Sequence, residues 1–115
     1  MSSDRRRGPA ERRKVRRVPA VFAVKKGGGT ALQLCQAEDI APAGITIKRP
    51  RGSSVPPATE IDLSFALPGS AHEISARGMV VSDVVAGSFR RTGVRFIALR
   101  PEYEQLIAGY CRTGR

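Results

Sequence analysis

The sequence predicts an all-β chain: a six-stranded antiparallel β-barrel with a C-terminal α-helix and a disordered basic N-terminal arm. Three observations predict it. Apolar residues alternate with polar ones over several short stretches, the period-2 pattern of strands buried on one face. Glycine and proline turns separate these stretches at regular spacing, with no room for crossover helices. The period changes to that of a helix only once, after Pro101.

The elements follow in chain order. Residues 1–10 are mostly Ser, Asp, Arg, Gly and Pro, with nothing apolar after Met1 to bury, and read as a disordered basic arm. Residues 11–112 read as a single domain. From Val18, the series Val18, Ala20, Phe22 and Val24 marks a first strand. Lys25 to Gly29 reads as a turn because three successive glycines permit positive φ without steric cost. Thr30 to Glu38 reads as a second strand, Ile45 to Lys48 as a short third, and Pro50 to Pro57 as a loop. Thr59 to Leu67 is the clearest strand, with Ile61, Leu63, Phe65 and Leu67 on one side and Glu60, Asp62 and Ser64 on the other. Pro68-Gly69 turns the chain. Glu73 to Val84 and Phe89 to Leu99 are long strands joined at Ala86-Gly87. Gly78 and Gly93 inside them mark bulges or close backbone approaches. Tyr103, Leu106, Ile107 and Tyr110 then fall at i, i+3, i+4 and i+7, one face of a closing helix over 101–111.

Composition excludes several functions. No apolar run is long enough to cross a bilayer, and no apolar segment follows the charged first residues, so membrane insertion and secretion are not expected and a cytoplasmic location is. Cys35 and Cys111 lie far apart, and His72 is the single histidine, so no zinc site is expected and the cysteines read as buried thiols. A nucleophile–base pair would need a Ser or Cys beside that histidine. Gly27-Gly28-Gly29 lacks the Gly-Lys-Ser/Thr of a phosphate loop. No catalytic residue, no enzymatic activity, no metal and no cofactor are therefore expected.

Charge points elsewhere. The formal net charge is +10, and residues 1–17 carry eight Arg or Lys against two acids, which puts +6 on the arm side. Arg12, Arg13 and Arg17 close that segment immediately before the first strand. A guanidinium grips phosphate through two parallel hydrogen bonds and stacks on a base. Arg13 and Arg17, four apart, could reach opposite sides of one compact anion. Asp39-Ile40-Ala41-Pro42-Ala43-Gly44 links two predicted strands. An ionised Asp39 only accepts hydrogen bonds, so it could take the neighbouring N1–H and N2–H donors of a guanine. Gly44 would let the backbone turn sharply or approach a ligand closely. Read singly, the first segment is also consistent with a solubilising tail and the second with an ordinary turn.

Together, Arg12-Arg13-Lys14-Val15-Arg16-Arg17 and Asp39-x-Ala41-x-x-Gly44 resemble the two signatures of the PilZ domain family, RxxxR and [D/N]xSxxG. Gly78-Met79-Val80-Val81, Thr92-Gly93-Val94-Arg95-Phe96 and the closing helix add to the likeness, which spans roughly residues 11–112. The resemblance implies a six-stranded barrel and binding of cyclic di-GMP, the bacterial second messenger. It implies Arg13 and Arg17 as the main clamp with Arg12 beside them, Asp39 as guanine reader and Gly44 as the backbone turn. Ala41 departs from the family's serine; one lost hydrogen bond costs about 0.5–1.5 kcal/mol, or roughly threefold to tenfold in affinity.

Three readings compete. The first is a stand-alone cyclic di-GMP receptor whose arm closes over the dinucleotide and alters a surface for a downstream protein partner. The second is a degenerate family member that binds a protein without the nucleotide, for which Ala41 is the one support. The third is nucleic-acid binding through the basic arm. It needs exposed aromatics, whereas nearly all of Phe22, Phe65, Phe89, Phe96, Tyr103 and Tyr110 fall on predicted core faces, so it ranks last.

Overall fold

The computed structural model describes residues 18–19, 23–28, 31–52 and 54–113. The described residues are predominantly β, with a helix at their C-terminal end. The strands are β1 (Val18–Pro19), β2 (Ala23–Gly28), β3 (Ala31–Ala41), β4 (Gly44–Pro50), β5 (Glu60–Ala66), β6 (Glu73–Ala86) and β7 (Phe89–Leu99). The helix α1 spans Pro101–Thr113. All pairings are antiparallel, in the order β1-β3-β2-β5-β6-β7-β4, and β3 also pairs with β4. The sheet is therefore curled, with β3 meeting strands from both ends of the series.

The strand count differs from the expected six. The run expected to be one strand from Val18 contributes two segments, β1 and β2, which pair with different stretches of β3. Pro19 ends β1; lacking an N–H, it cannot donate to a ladder. The glycine-rich turn expected over Lys25–Gly29 is also corrected, because Lys25 to Gly28 pair with β3 and Lys25 to Gly27 with β5. Those ladder bonds hold glycines that propensity alone would place in a turn. The expected disordered arm, 1–10, and Arg12, Arg13 and Arg17 lie outside the described residues.

Alternation decides the core. In β5, Ile61, Leu63 and Phe65 are buried while Glu60, Asp62 and Ala66 are exposed. In β4, Ile45 and Ile47 point inward. Ile40, Ile74, Val80 and Val94 join them, and α1 covers the assembly with Ile107 and Cys111. Tyr103, Leu106 and Tyr110 pack against the same core, so the helical stripe read from the sequence faces the sheet. Cys35 and Cys111 are buried and not joined in a disulfide; the Cys111 thiol donates to the Ile40 carbonyl at 3.6 Å.

Gly69 and Gly87 take the expected turn positions, with φ of 81° and 67°, which a side chain disfavours. Gly78 and Gly93 both make close approaches. A Cβ on Gly78 would meet Val94 Cγ1 at 2.3 Å, and one on Gly93 would meet Ser82 Oγ at 2.7 Å. The β6–β7 register shifts between Arg77 and Gly78, and again between Val80 and Ser82. The loop after β4 is fastened to β6 by Ala58 N–H donating to the Val80 carbonyl (2.7 Å) and Val80 N–H to the Thr59 carbonyl (2.9 Å).

Candidate functional site

The segment from Asp39 to Gly44 is a hairpin rather than a turn alone. Asp39, Ile40 and Ala41 belong to β3 and pair with Thr46, Ile45 and Gly44 of β4, leaving Pro42 and Ala43 as the two-residue loop. The β3–β4 register shifts between Ala37 and Asp39, so Glu38 is the extra residue of a bulge. Ala37 and Ile40 are buried on either side, and Glu38 and Asp39 are both half-buried. A bulge re-aims side chains locally. Here it lets two consecutive acids avoid the core.

Gly44 is needed for a different reason from the one expected. It is not among the positive-φ glycines of the described residues. Instead it lies against β7: a Cβ would sit 2.3 Å from the Val94 carbonyl oxygen and 3.3 Å from Arg95 Cα. Close strand approach, not a sharp turn, excludes a side chain. Ala41 is 1% exposed, so a hydroxyl at this position would lie in the packed interior at the end of β3.

β1 brings the arm to this hairpin. Val18 pairs with Ile40 and Pro19 with Asp39, so the chain that follows Arg17 enters the sheet alongside the acidic motif. Of the residues expected to form the site, Asp39, Ala41 and Gly44 come together on one hairpin end, while Arg12, Arg13 and Arg17 are outside the described residues.

Across β4, the outer surface is low. Gly44, Thr46, Ser82 and Gly93 line a shallow depression of about 330 Å³, with Arg95 at its side. That is within the size range of small-molecule sites, roughly 300–1,000 Å³. Beside it, Arg91 donates to Glu38 through Nε (2.6 Å) and Nη2 (2.8 Å), a bidentate pair across β4. The hydrogen bonds and charge of Arg91 hold the Glu38 carboxyl below its ordinary value. Glu38 and, more weakly, Asp39 push the Arg91 guanidinium up. Lys48 lies 4.8 Å over the Phe89 ring.

A second polar cluster, not anticipated from the sequence, lies inside the sheet. Arg49 is 2% exposed; its Nε donates to Thr92 Oγ1 at 2.9 Å and its Nη2 reaches Asp83 Oδ1 at 3.1 Å. Thr92 donates to the same oxygen at 2.6 Å. The other Asp83 oxygen accepts from the Val55 N–H at 2.9 Å and from Arg90 Nη1 at 3.0 Å. Burial pushes the Asp83 carboxyl up, but hydrogen bonds from Thr92, Val55 and Arg49 outweigh it and hold the group below its ordinary value. The signal was present in the alternation Ile45, Ile47, Arg49, which sets an arginine on the inward side of β4. His72, by contrast, is an exposed loop residue. Among the described residues no group of three or more potential metal ligands is found, and no helix is long and apolar enough to cross a membrane.

Comparison with known proteins yields one family. The profile of the PilZ domain matches residues 10–113. No functionally curated protein matches the chain. Among solved structures, the inhibitor of motility MotI/DgrA of Bacillus subtilis superposes with a TM-score of 0.77 at 19% identity, covering 84% of this chain and 48% of that one. This chain thus spans about half the length of the Bacillus protein. The PilZ domain of YcgR from Escherichia coli, solved with c-di-GMP, superposes with a TM-score of 0.66 at 11% identity, covering 84% and 86%. The PilZ domain of CeSA from a cellulose-synthesizing bacterium gives 0.63 at 15%, covering 84% and 95%. At these identities the likeness is one of fold.

Proposed function

The chain belongs to the PilZ domain family, and from that premise we propose that it is a non-enzymatic receptor for cyclic di-GMP. In this reading residues 11–112 act as one barrel-like domain, and the basic arm before it closes over the dinucleotide. Arg13 and Arg17, with Arg12 beside them, clamp phosphates and stack on guanine. Asp39 accepts from the N1–H and N2–H of a guanine. Ala41 and Gly44 keep the hairpin end small. Ordering of the arm on the sheet then alters a surface read by a downstream protein partner in the cytoplasm.

The observation that carries this reading is the register of β1. Val18 and Pro19 pair with Ile40 and Asp39, so the arginine segment is tethered to the acidic motif through two residues of strand. A tether of that length makes closure of the arm a local event with little loop entropy to overcome. The burial of Ala41 supports it as well. A serine hydroxyl there would have to find a partner inside the packing, so its absence removes less from a ligand than from the interior.

Isothermal titration calorimetry with cyclic di-GMP, using GTP and cyclic di-AMP as controls, tests the proposal. Arg13→Ala or Arg17→Ala is expected to abolish binding and Asp39→Ala to weaken it strongly. Absence of heat and of any thermal shift for the wild-type chain at millimolar cyclic di-GMP would overturn it.

A further inference from the structure

We infer that Arg95 is a further ligand-binding residue, its guanidinium holding a phosphate of the cyclic dinucleotide over the depression between β4, β6 and β7. This rests on the receptor reading above and extends it to a residue on the far side of the hairpin from the arm.

The pattern of arginine pairing is the starting point. Arg49 and Arg90 share Asp83. Arg91 is taken by Glu38, Arg77 by Glu60 and Asp62, and Arg100 by Glu102. Among the described residues Arg95, like Arg51 and Arg112, makes no such pair, and of these three only Arg95 lines the depression; its hydrogen bond goes to the thioether of Met79 at 4.0 Å. It is exposed and stands in register with Gly44 on one side and Met79 on the other. A guanidinium without a carboxylate keeps its full capacity for two parallel hydrogen bonds to a phosphate.

The surroundings favour an anion. Among the described residues Arg95 is the single charged one lining the depression, and no acid lines it. Thr46 and Ser82 bring hydroxyls to the same walls. Gly44 and Gly93 lower the floor; a Cβ on Gly44 would meet the Val94 carbonyl oxygen at 2.3 Å, and one on Gly93 would displace the Ser82 hydroxyl. The span also fits. Asp39 is in register with Thr46, and Thr46 with Gly93, two residues from Arg95. Two strand spacings across and two residues along put the Asp39 and Arg95 backbones about 12 Å apart. A guanine read by Asp39 and the phosphodiester attached to its ribose can bridge that gap once the long arginine side chain reaches inward.

The experiment is calorimetry of the full chain with cyclic di-GMP for wild type, Arg95→Ala, Arg95→Lys and Arg91→Ala, with melting temperatures of the ligand-free proteins. Loss of a charge-assisted contact predicts that Arg95→Ala weakens binding by about tenfold to a hundredfold. Arg95→Lys should recover part of this, because the charge stays while the fork is lost. Arg91→Ala should stay within a few fold of wild type. The loss of affinity with added salt should be smaller in Arg95→Ala, because one fewer charge pair is left for salt to screen. If wild type binds and Arg13→Ala abolishes binding, but Arg95→Ala binds like wild type, this inference falls and the receptor reading stands. A lowered melting temperature in ligand-free Arg95→Ala would mark a structural role and overturn it too. If wild type binds nothing, both fall.

Discussion

Arg49 and Arg90 share one carboxylate inside the curled sheet, whereas Arg95, five residues beyond Arg90 on the same strand, has none among the described residues. The Arg49 and Asp83 side chains are enclosed, 1% and 3% exposed, and Arg90 is partly so at 16%. There Arg49 Nε and Nη2 and Arg90 Nε and Nη1 face acceptors, since a guanidinium left without one in the interior would be costly. On the outer face solvent satisfies the guanidinium, so an arginine there needs no carboxylate. One residue type thus stands in two environments of the same sheet, and its partners, not its charge, distinguish them. The interior cluster fastens the loop after β4 to the sheet through the Val55 N–H. The outer face carries the hairpin end with which β1 pairs.

The largest effect expected on stability comes from breaking the interior cluster. Asp83→Ala would leave Arg49 buried without its carboxylate, and removal of one partner from a buried pair typically destabilises by about 3–5 kcal/mol. Urea denaturation would read this as a lower midpoint. The same carboxyl predicts an acid dependence. Its folded value lies below its unfolded one, so the ionised form stabilises the fold. That contribution is present above the unfolded carboxylate value, about 3.9, and is lost as the pH falls through the folded one. Stability should therefore decline as the pH drops below about 4, and less steeply in Asp83→Asn. An Asp83 variant as stable as wild type at neutral pH would dissolve the distinction between the two arginine sets.

Gly44→Ala should come next, and it tests the junction between the regions. The added Cβ would meet the Val94 carbonyl at 2.3 Å, a backbone atom held in the β4–β7 ladder that cannot swing aside. Strain of this kind typically costs about 1–3 kcal/mol. The damage falls where Asp39 and Arg95 are set relative to each other, so cyclic di-GMP binding should weaken along with stability. Loss of stability with unchanged affinity would separate the hairpin end from the site.

Much of this was legible in the sequence, and the exceptions have physical causes. Ile61, Leu63 and Phe65 alternate cleanly because β5 has one wet and one dry face. The helix declared itself through Tyr103, Leu106, Ile107 and Tyr110. Gly78 and Gly93 flagged close approaches correctly, since a strand interior rarely keeps glycine for any other reason. Arg49 was missed because alternation was followed only as far as Lys48, where apolar residues stop. A buried guanidinium depends on Asp83 and Thr92, dozens of positions away, and no local pattern reports them. Asp39 was assigned to a turn because Asp, Pro and Gly are turn formers. The bulge at Glu38 keeps it in β3 instead, and a bulge depends on the register of the partner strand. The close approach of Gly44 to β7 is hidden from the sequence for the same reason, since it depends on the partner strand.

The smallest effect is expected at a third kind of arginine, one that is paired but wet. Arg77 reaches Glu60 at 3.0 Å and Asp62 at 3.4 Å on the outer side of β5 and β6, with all three side chains half or more exposed. Solvent screens such pairs, and the entropy of holding long side chains in place offsets much of the attraction. Glu60→Ala should shift stability by less than about 0.5 kcal/mol, with Asp62 still available to Arg77. It should also leave cyclic di-GMP binding unchanged, because these residues line no part of the depression. The comparison with Asp83 then isolates burial as the variable: similar ion-pair distances, opposite exposure. Chemical denaturation of the two variants side by side checks it. If Glu60→Ala lost as much stability as Asp83→Ala, pairing alone would set the energetic role of an arginine, and the want of a carboxylate at Arg95 would have to be judged against that rule instead.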